Sequence, residues 1–137
     1  MCTLLRPAEP EDENAVVDLW TACGLVVPWN DPHADFRLAR GRAGSDVVVA
    51  EAKGTILAAA MIGHDGHRGW IYYLGTRPEA RSRGLAKRLI AHAESWAKAR
   101  GIPKMQLLVR NSNARVRGFY ESLGYAVNPT FVMQKVL

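Results

Sequence analysis

The sequence predicts an α/β (α+β) fold: a mixed, mostly antiparallel sheet of six or seven strands with helices on both faces. Three observations predict it. Three strand-like runs follow one another at 47–52, 55–62 and 70–76, joined by tight turns. Helical patterns lie before and after these runs, so layers of both kinds are expected. A chain of 137 residues fits one domain and can bury a core, so residues 1–137 are read as a single domain.

Residues 3–6 read as a short first strand, stopped by Pro7. A helix opens at Pro10, with Glu11, Asp12 and Glu13 in the first turn, where carboxylates suit the positive helix end. Val16, Leu19, Trp20 and Cys23 follow at helical spacing, and Gly24 ends the helix. The next stretch is irregular, with Pro28 and Pro32 flanking Trp29-Asn30-Asp31, and 34–42 predicts a second short helix. The run 47–52 is β-branched and so a strand. Lys53-Gly54 makes a two-residue hairpin turn into a return strand over 55–62. Asp65-Gly66 centres the next turn, before the strand 70–76. A helix over 84–100 carries Leu85, Leu89, Ala93, Trp96 and Ala97 on one face, and Gly101 and Pro103 end it. Then come a strand at 105–109 and a helix at 113–123, with Val116, Phe119, Tyr120 and Leu123 inward and Gly124 as its cap. The last strands are expected at 125–127 and 130–136, joined through Asn128-Pro129.

Composition narrows the function. No apolar run approaches the roughly 20 residues of a membrane span. The first residues lack a basic region followed by a long apolar stretch, so a cytoplasmic protein is expected. Cys2 and Cys23 have no metal or redox spacing and read as reduced thiols, and no metal site is expected. The net charge of +5 is uneven: acid clusters at Glu9, Glu11, Asp12 and Glu13, base from Arg77 to Arg88 and at Arg110, Arg115 and Arg117. Such a basic half calls for an anionic partner. A nucleic-acid binder is one reading, but there is no aromatic-interleaved basic stripe, zinc spacing or arginine-rich tail. A small polyphosphate accounts for the localised charge more economically.

The richest segment is 72–90. A strand ends at Thr76, Pro78 marks a turn, and a basic loop containing Gly84 opens straight into a helix. Backbone amides at a positive helix end form an anion site. Gly84 lacks the Cβ that would block a phosphate oxygen, and Arg81, Arg83, Lys87 and Arg88 supply cations. The segment is no P-loop, since no Gly-Lys-Ser/Thr follows, and no dinucleotide fingerprint, since the three-glycine spacing is missing. The plainer reading is a solvated basic turn before a surface helix.

The spacing Arg81-x-x-Gly84-x-Ala86 resembles the acetyl-CoA pyrophosphate signature of the GNAT N-acetyltransferase superfamily. The element order is similar to that fold over nearly the whole chain. Asn113 stands seven residues before Tyr120, and Tyr120-Glu121-Ser122-Leu123-Gly124-Tyr125 resembles the family's second motif. The segments 28–32, 65–69 and 72–75 also resemble the small bacterial YpeA-type acetyltransferases. The resemblance implies a transfer of acetyl from acetyl-CoA directly to a primary amine of a small molecule or protein. It implies that backbone amides from Arg81, Ser82, Arg83, Gly84, Leu85 and Ala86, with Lys87 beside them, hold the pyrophosphate. The strand Leu74, Gly75, Thr76 would pair with the pantetheine arm, and the Leu74 amide would meet the thioester oxygen. Asn113 would hydrogen-bond the cofactor, and Tyr120 would bind it and protonate the departing thiolate. Three positions depart from the family. Leu108 stands where some ribosomal-protein acetyltransferases place a glutamate base, Val116 replaces a frequent alanine, and Thr76 replaces an apolar residue.

The chemistry fits elementary acidities: a thiol near about 8.5 is regenerated, and a phenol near about 10 stays protonated at neutral pH. A protonated amine needs a base, and the candidates are Glu51, Tyr73, Asp31, His33, His64 and His67. Glu51 or Tyr73, acting through water, is the catalytic expectation. Trp29, Asn30 and Asp31 are the expected acceptor-binding residues, although Trp29 could equally plug the core. The last strands of an open sheet could pair across a homodimer. A catalytically silent CoA-binding module is the alternative function.

Overall fold

The computed structural model describes residues 2–137; Met1 lies outside them. The elements run β1 (Leu4–Pro7), α1 (Glu13–Ala22), α2 (Pro32–Ala39), β2 (Ser45–Ala52), β3 (Thr55–His64), β4 (Gly69–Thr76), α3 (Leu85–Ala99), β5 (Met105–Leu107) and α4 (Ala114–Ser122). The chain forms two compact units, one ending at Leu107 and the other spanning Leu108–Leu137.

In the first unit, five strands form one sheet in the order β1-β2-β3-β4-β5. The first four are antiparallel neighbours, and β5 joins β4 in parallel. A parallel neighbour needs a long crossover, which α3 supplies. The β2–β3 hairpin turns at Lys53 and Gly54, both with positive φ, as a two-residue turn requires. Strand alternation then sorts the two faces. Val47, Val49 and Ala59 pack with Val16, Leu19 and Trp20 of α1 and with Phe36 of α2. Val48, Ala50, Ala58, Ala60 and Ile62 belong to the opposite parity and are also buried. There α3 lies over β2, β3 and β4 with Leu89, Ile90, Ala93 and Ala97 buried. The expected layers, helices on both faces of a mostly antiparallel sheet, are therefore present.

The strand count differs from expectation: five strands form among the described residues, not six or seven. Residues 125–127 and 130–136 carry no strand, and 126–137 are all exposed. Alternating apolar residues become a strand only where a ladder partner accepts their backbone, and none pairs with them among the described residues. Strand β5 likewise stops at Leu107 rather than Val109. Helix α2 begins at Pro32, not Ala34, because the Asp31 carboxylate accepts from the amides of His33 and Ala34 and proline suits the first turn.

The decisive irregularity lies in β4. Met61 pairs with Tyr72 and Ala59 with Gly75, so Ala60 faces both Tyr73 and Leu74. This is a β-bulge, and Tyr73 sits in it at φ +55°. An aromatic residue rarely adopts that conformation. Tyr73 is held by stacking on the fully buried Trp20, with ring centroids 4.2 Å apart, and by donating its hydroxyl to Asp35 at 2.7 Å. Further along the same strand, Gly75 is required by space. A Cβ there would stand 3.0 Å from Cys23 Sγ and 3.1 Å from Leu25. Cys23 is thus a small packed side chain, as expected, and its thiol donates to the Thr76 carbonyl at 3.3 Å.

The pair that holds the bulge can be measured. Tyr73→Phe and Asp35→Ala should each lower stability by about 1–2 kcal/mol in urea unfolding, since each removes one hydrogen bond to a charged group. The double variant should lose little more than the worse single one. Additive losses would show that hydroxyl and carboxylate do not act together.

Candidate active site

The loop between β4 and α3 is clamped at both ends and open in the middle. Arg77 donates its backbone amide to the Leu57 carbonyl at 2.8 Å and its Nε to the Ile56 carbonyl at 2.7 Å. Ala80 and Leu85 are buried, whereas Arg81, Ser82, Arg83 and Gly84 are exposed. Ser82 and Gly84 both have positive φ, at 67° and 75°. A Cβ on Gly84 would meet nothing within 4 Å, so glycine is required there by its backbone angle, and the space before it is open.

Gly84 is the N-cap of α3 and offers no side-chain acceptor. The amides of Ser82, Arg83, Gly84, Leu85, Ala86 and Lys87 donate to no acceptor among the described residues. The other long helices end differently: Asp31 caps α2, and acidic residues precede α1. The first turn of α3 contains no acid, and Lys87 and Arg88 lie there instead. Cations at a positive helix end are unfavourable unless an anion intervenes. Arg81 donates Nε to the Thr76 carbonyl and Arg83 donates Nη2 to the Glu79 carbonyl, each at 3.3 Å, which fixes both at the loop. Arg88 is directed elsewhere, to the Thr3 carbonyl at 3.0 Å.

Upstream of this loop, β4 has a free edge. The β4–β5 ladder ends at Ile71 opposite Leu107. From Tyr72 through the bulge to Leu74, Gly75 and Thr76, no strand pairs with that side among the described residues. On the α1–α2 face the Tyr73 hydroxyl meets Asp35, and the Asn30 side chain hydrogen-bonds it as well. Burial first, then the hydrogen bond and charge of Asp35 and the charge of Asp31, push this phenol well above its ordinary range. Trp29 is 74% exposed, which removes the core-plug reading and leaves its face to solvent beside Asn30 and Asp31.

The other base candidates are engaged. Glu51 accepts from Arg6 Nε at 2.7 Å, and Arg6 also grips both oxygens of Asp12. Hydrogen bonds to those two carboxylates raise the Arg6 guanidinium further above its usual range, and Arg6 lowers Asp12. Strand alternation alone leaves a carboxylate at Glu51 without a reason; Arg6, 45 positions away, supplies it. His33 lies 2.7 Å from Glu13, which Arg37 also holds. His64 Nδ1 accepts from the Gly66 amide, and His67 is exposed in the same turn.

Within residues 108–137, Asn113 caps α4 by accepting from the Val116 amide at 3.2 Å through its carbonyl oxygen, leaving its NH2 to donate elsewhere. Tyr120 is buried, edge-on to Phe119 and Tyr125. Burial alone pushes its hydroxyl up to about 12. Among the described residues no cluster of His, Cys, Asp and Glu could hold a metal ion, and no helix is long and apolar enough to cross a membrane.

Known proteins resemble this chain in sequence and fold. Residues 13–125 match the model of the acetyltransferase (GNAT) family. The chain is 41% identical over 133 residues to an acetyltransferase of Yersinia pestis, covering 97% of this chain and 94% of that one. It is 44% identical over 121 residues to an acetyltransferase of Pectobacterium atrosepticum, covering 88% and 86%. In fold it is similar to an acetyltransferase of Clostridium acetobutylicum solved with acetyl-CoA, with TM-score 0.81, 19% identity and 98% and 96% of the two chains covered. On the family match and the extent of these relatives, the chain belongs to the GNAT acetyltransferases, enzymes that take an acetyl group from acetyl-CoA and deliver it to an amine.

Proposed function

We propose that residues 1–137 act as one acetyltransferase domain that moves the acetyl group of acetyl-CoA directly to a primary amine of a small molecule or protein. The observation that carries this reading is the uncapped start of α3, where six amides without acceptors meet Arg81, Arg83 and Lys87. Such a site suits the pyrophosphate of CoA. The open edge of β4 suits its pantetheine arm, which would pair along Leu74, Gly75 and Thr76 as an added strand. The Leu74 amide would then face the thioester oxygen, and the NH2 of Asn113 would donate to the cofactor arm.

In this reading the amine nitrogen attacks the thioester carbon, the carbonyl oxygen takes up negative charge, and the C–S bond breaks. Tyr120 donates its proton to the sulfur as that bond breaks. A phenol at about 12 is protonated throughout the working pH range. The amine's surplus proton leaves through water to the Tyr73 hydroxyl, which is already hydrogen-bonded to Asp35. Glu51 is the competing base, but a proton there would weaken its bond to Arg6. Trp29, Asn30 and Asp31 would form the acceptor's approach.

Three outcomes test the reading. Calorimetric titration should show acetyl-CoA binding to the wild type, and Gly84→Glu, which adds negative charge at a positive φ, should abolish it. Tyr120→Phe should lower kcat by about 10²–10⁴-fold and leave acetyl-CoA affinity unchanged; an unchanged kcat would remove the acid role. The pH profile follows from sign. Burial raises the Tyr120 pKa, so the acid form persists below about 12, and no alkaline limb from this residue should appear in kcat up to pH 10. A limb near 10 that disappears in Tyr120→Phe would contradict the burial.

A further inference from the structure

A cavity of about 640 Å³ opens beside the start of β4. Its walls include Arg42, Gly63, Asp65, Trp70 and Tyr72. Gly63 pairs with Trp70 and Met61 with Tyr72, and Met61 packs against the α1–α2 core, so this is the α1–α2 face of the sheet. It is a broad, open hollow on the sheet surface, and Gly63 is needed in its floor because a Cβ there would stand 3.2 Å from the Gly44 carbonyl.

The walls carry three kinds of recognition. Trp70 and Tyr72 stack at 6.1 Å with their planes 19° apart, and Tyr72 is 43% exposed, which makes an aromatic platform. Asp65 accepts the amides of His67 and Arg68 on one oxygen and Trp70 Nε1 at 3.2 Å on the other. The Arg68 amide and the Trp70 N–H lower its carboxyl to about 2, so it is ionised at any working pH. Arg42 is fixed by donating to the carbonyls of Leu38 and Arg37, and no carboxylate forms an ion pair with it among the described residues.

We infer that this cavity is the acceptor subsite and that its ligand is a small primary amine that also carries an anionic group. The ammonium lies against the aromatic platform under the charge of Asp65, since ring faces and carboxylates both attract cations. The anionic group pairs with the unmatched Arg42. Tyr72 is the residue immediately before the Tyr73 bulge and lies where the free edge of β4 begins, so the platform leads toward the proposed thioester. The assignment as acceptor subsite rests on the acetyl-transfer reading, whereas the ligand chemistry of the cavity does not.

Tryptophan fluorescence tests it, because Trp70 is in the wall. The probes are L-phenylalanine and 2-aminoethyl phosphate, each compared with its acid-free counterpart, phenethylamine and ethanolamine. At least one acid-bearing probe should give a saturable change that is lost in Trp70→Phe. It should bind at least about tenfold more tightly than its counterpart, about 1.4 kcal/mol. Arg42→Gln should erase that preference, and Tyr72→Ala should weaken binding about tenfold or more, with acetyl-CoA affinity and the circular dichroism spectrum unchanged. The carboxylate and phosphate probes distinguish the two sources of anion. No saturable response to either acid-bearing probe in folded protein would overturn the proposal, as would wild-type affinities in both variants. Probe binding by a wild type that fails to bind acetyl-CoA would remove the donor assignment and support the cavity's ligand chemistry.

Discussion

Tyr73 occupies a backbone conformation that costs on the order of 1–3 kcal/mol for a non-glycine residue. It stays there because Trp20 of α1 stacks on its ring and Asp35 of α2 takes its hydroxyl proton in a hydrogen bond. The rest of the arrangement depends on that distortion. The bulge puts two residues of β4 opposite one of β3, and pairing of β4 with β5 has already ended at Ile71. From Tyr72 onward that edge of β4 has no strand partner among the described residues. Helices α1 and α2 are therefore more than a cover for the sheet, since each contributes one of the groups that hold the bulge. The free edge from Leu74 and the loop that follows it form one continuous track to Gly84.

The start of α3 makes the complementary point about local stability. An N-cap acceptor typically contributes about 1 kcal/mol, and α2 and α4 both have one. Helix α3 has none and adds two cations in its first turn. Its stability comes instead from burial, with Leu85, Leu89, Ile90, Ala93 and Ala97 against the sheet. Packing of that size tolerates an uncapped end. The amides are left for a ligand, and an anion there would offset both the missing cap and the charge of Lys87.

Much of this was legible in the sequence because it is local. Turn chemistry at Lys53-Gly54 and the helical spacing of Leu85, Leu89, Ala93 and Ala97 each involve neighbours a few positions apart. The basic loop before Leu85 was visible for the same reason. What escaped was long-range. Nothing around Tyr73 marks a bulge: a tyrosine flanked by apolar residues reads as regular strand, and its partner Asp35 is 38 positions away. Arg6 and Glu51 meet only because β1 pairs with β2. The alternating apolar residues after Tyr125 carry a strand pattern, but a pattern does not supply a ladder partner. The proline of Pro32 and the carboxylate of Asp31 were a readable start for α2 that the helical spacing alone placed two residues late.

The two proposed proton acceptors differ in the partners they hold. Glu51 is tied to a guanidinium that holds Asp12 at the same time. Protonating Glu51 would leave Arg6 with half its counter-charge, in a part-buried setting where that matters more than at the surface. Tyr73 instead faces a single carboxylate, Asp35, with no guanidinium shared between two acids. Its hydroxyl donates to Asp35 and can accept a proton from water as it passes its own to the carboxylate, so the net charge moves to Asp35 and the phenol never ionises. The upward shift of the phenol, which would disable it as a phenolate base, does not hinder such a relay. In the proposed mechanism the hydroxyl that holds the strained bulge also carries the proton, so a single contact between β4 and α2 would serve the fold and the chemistry together.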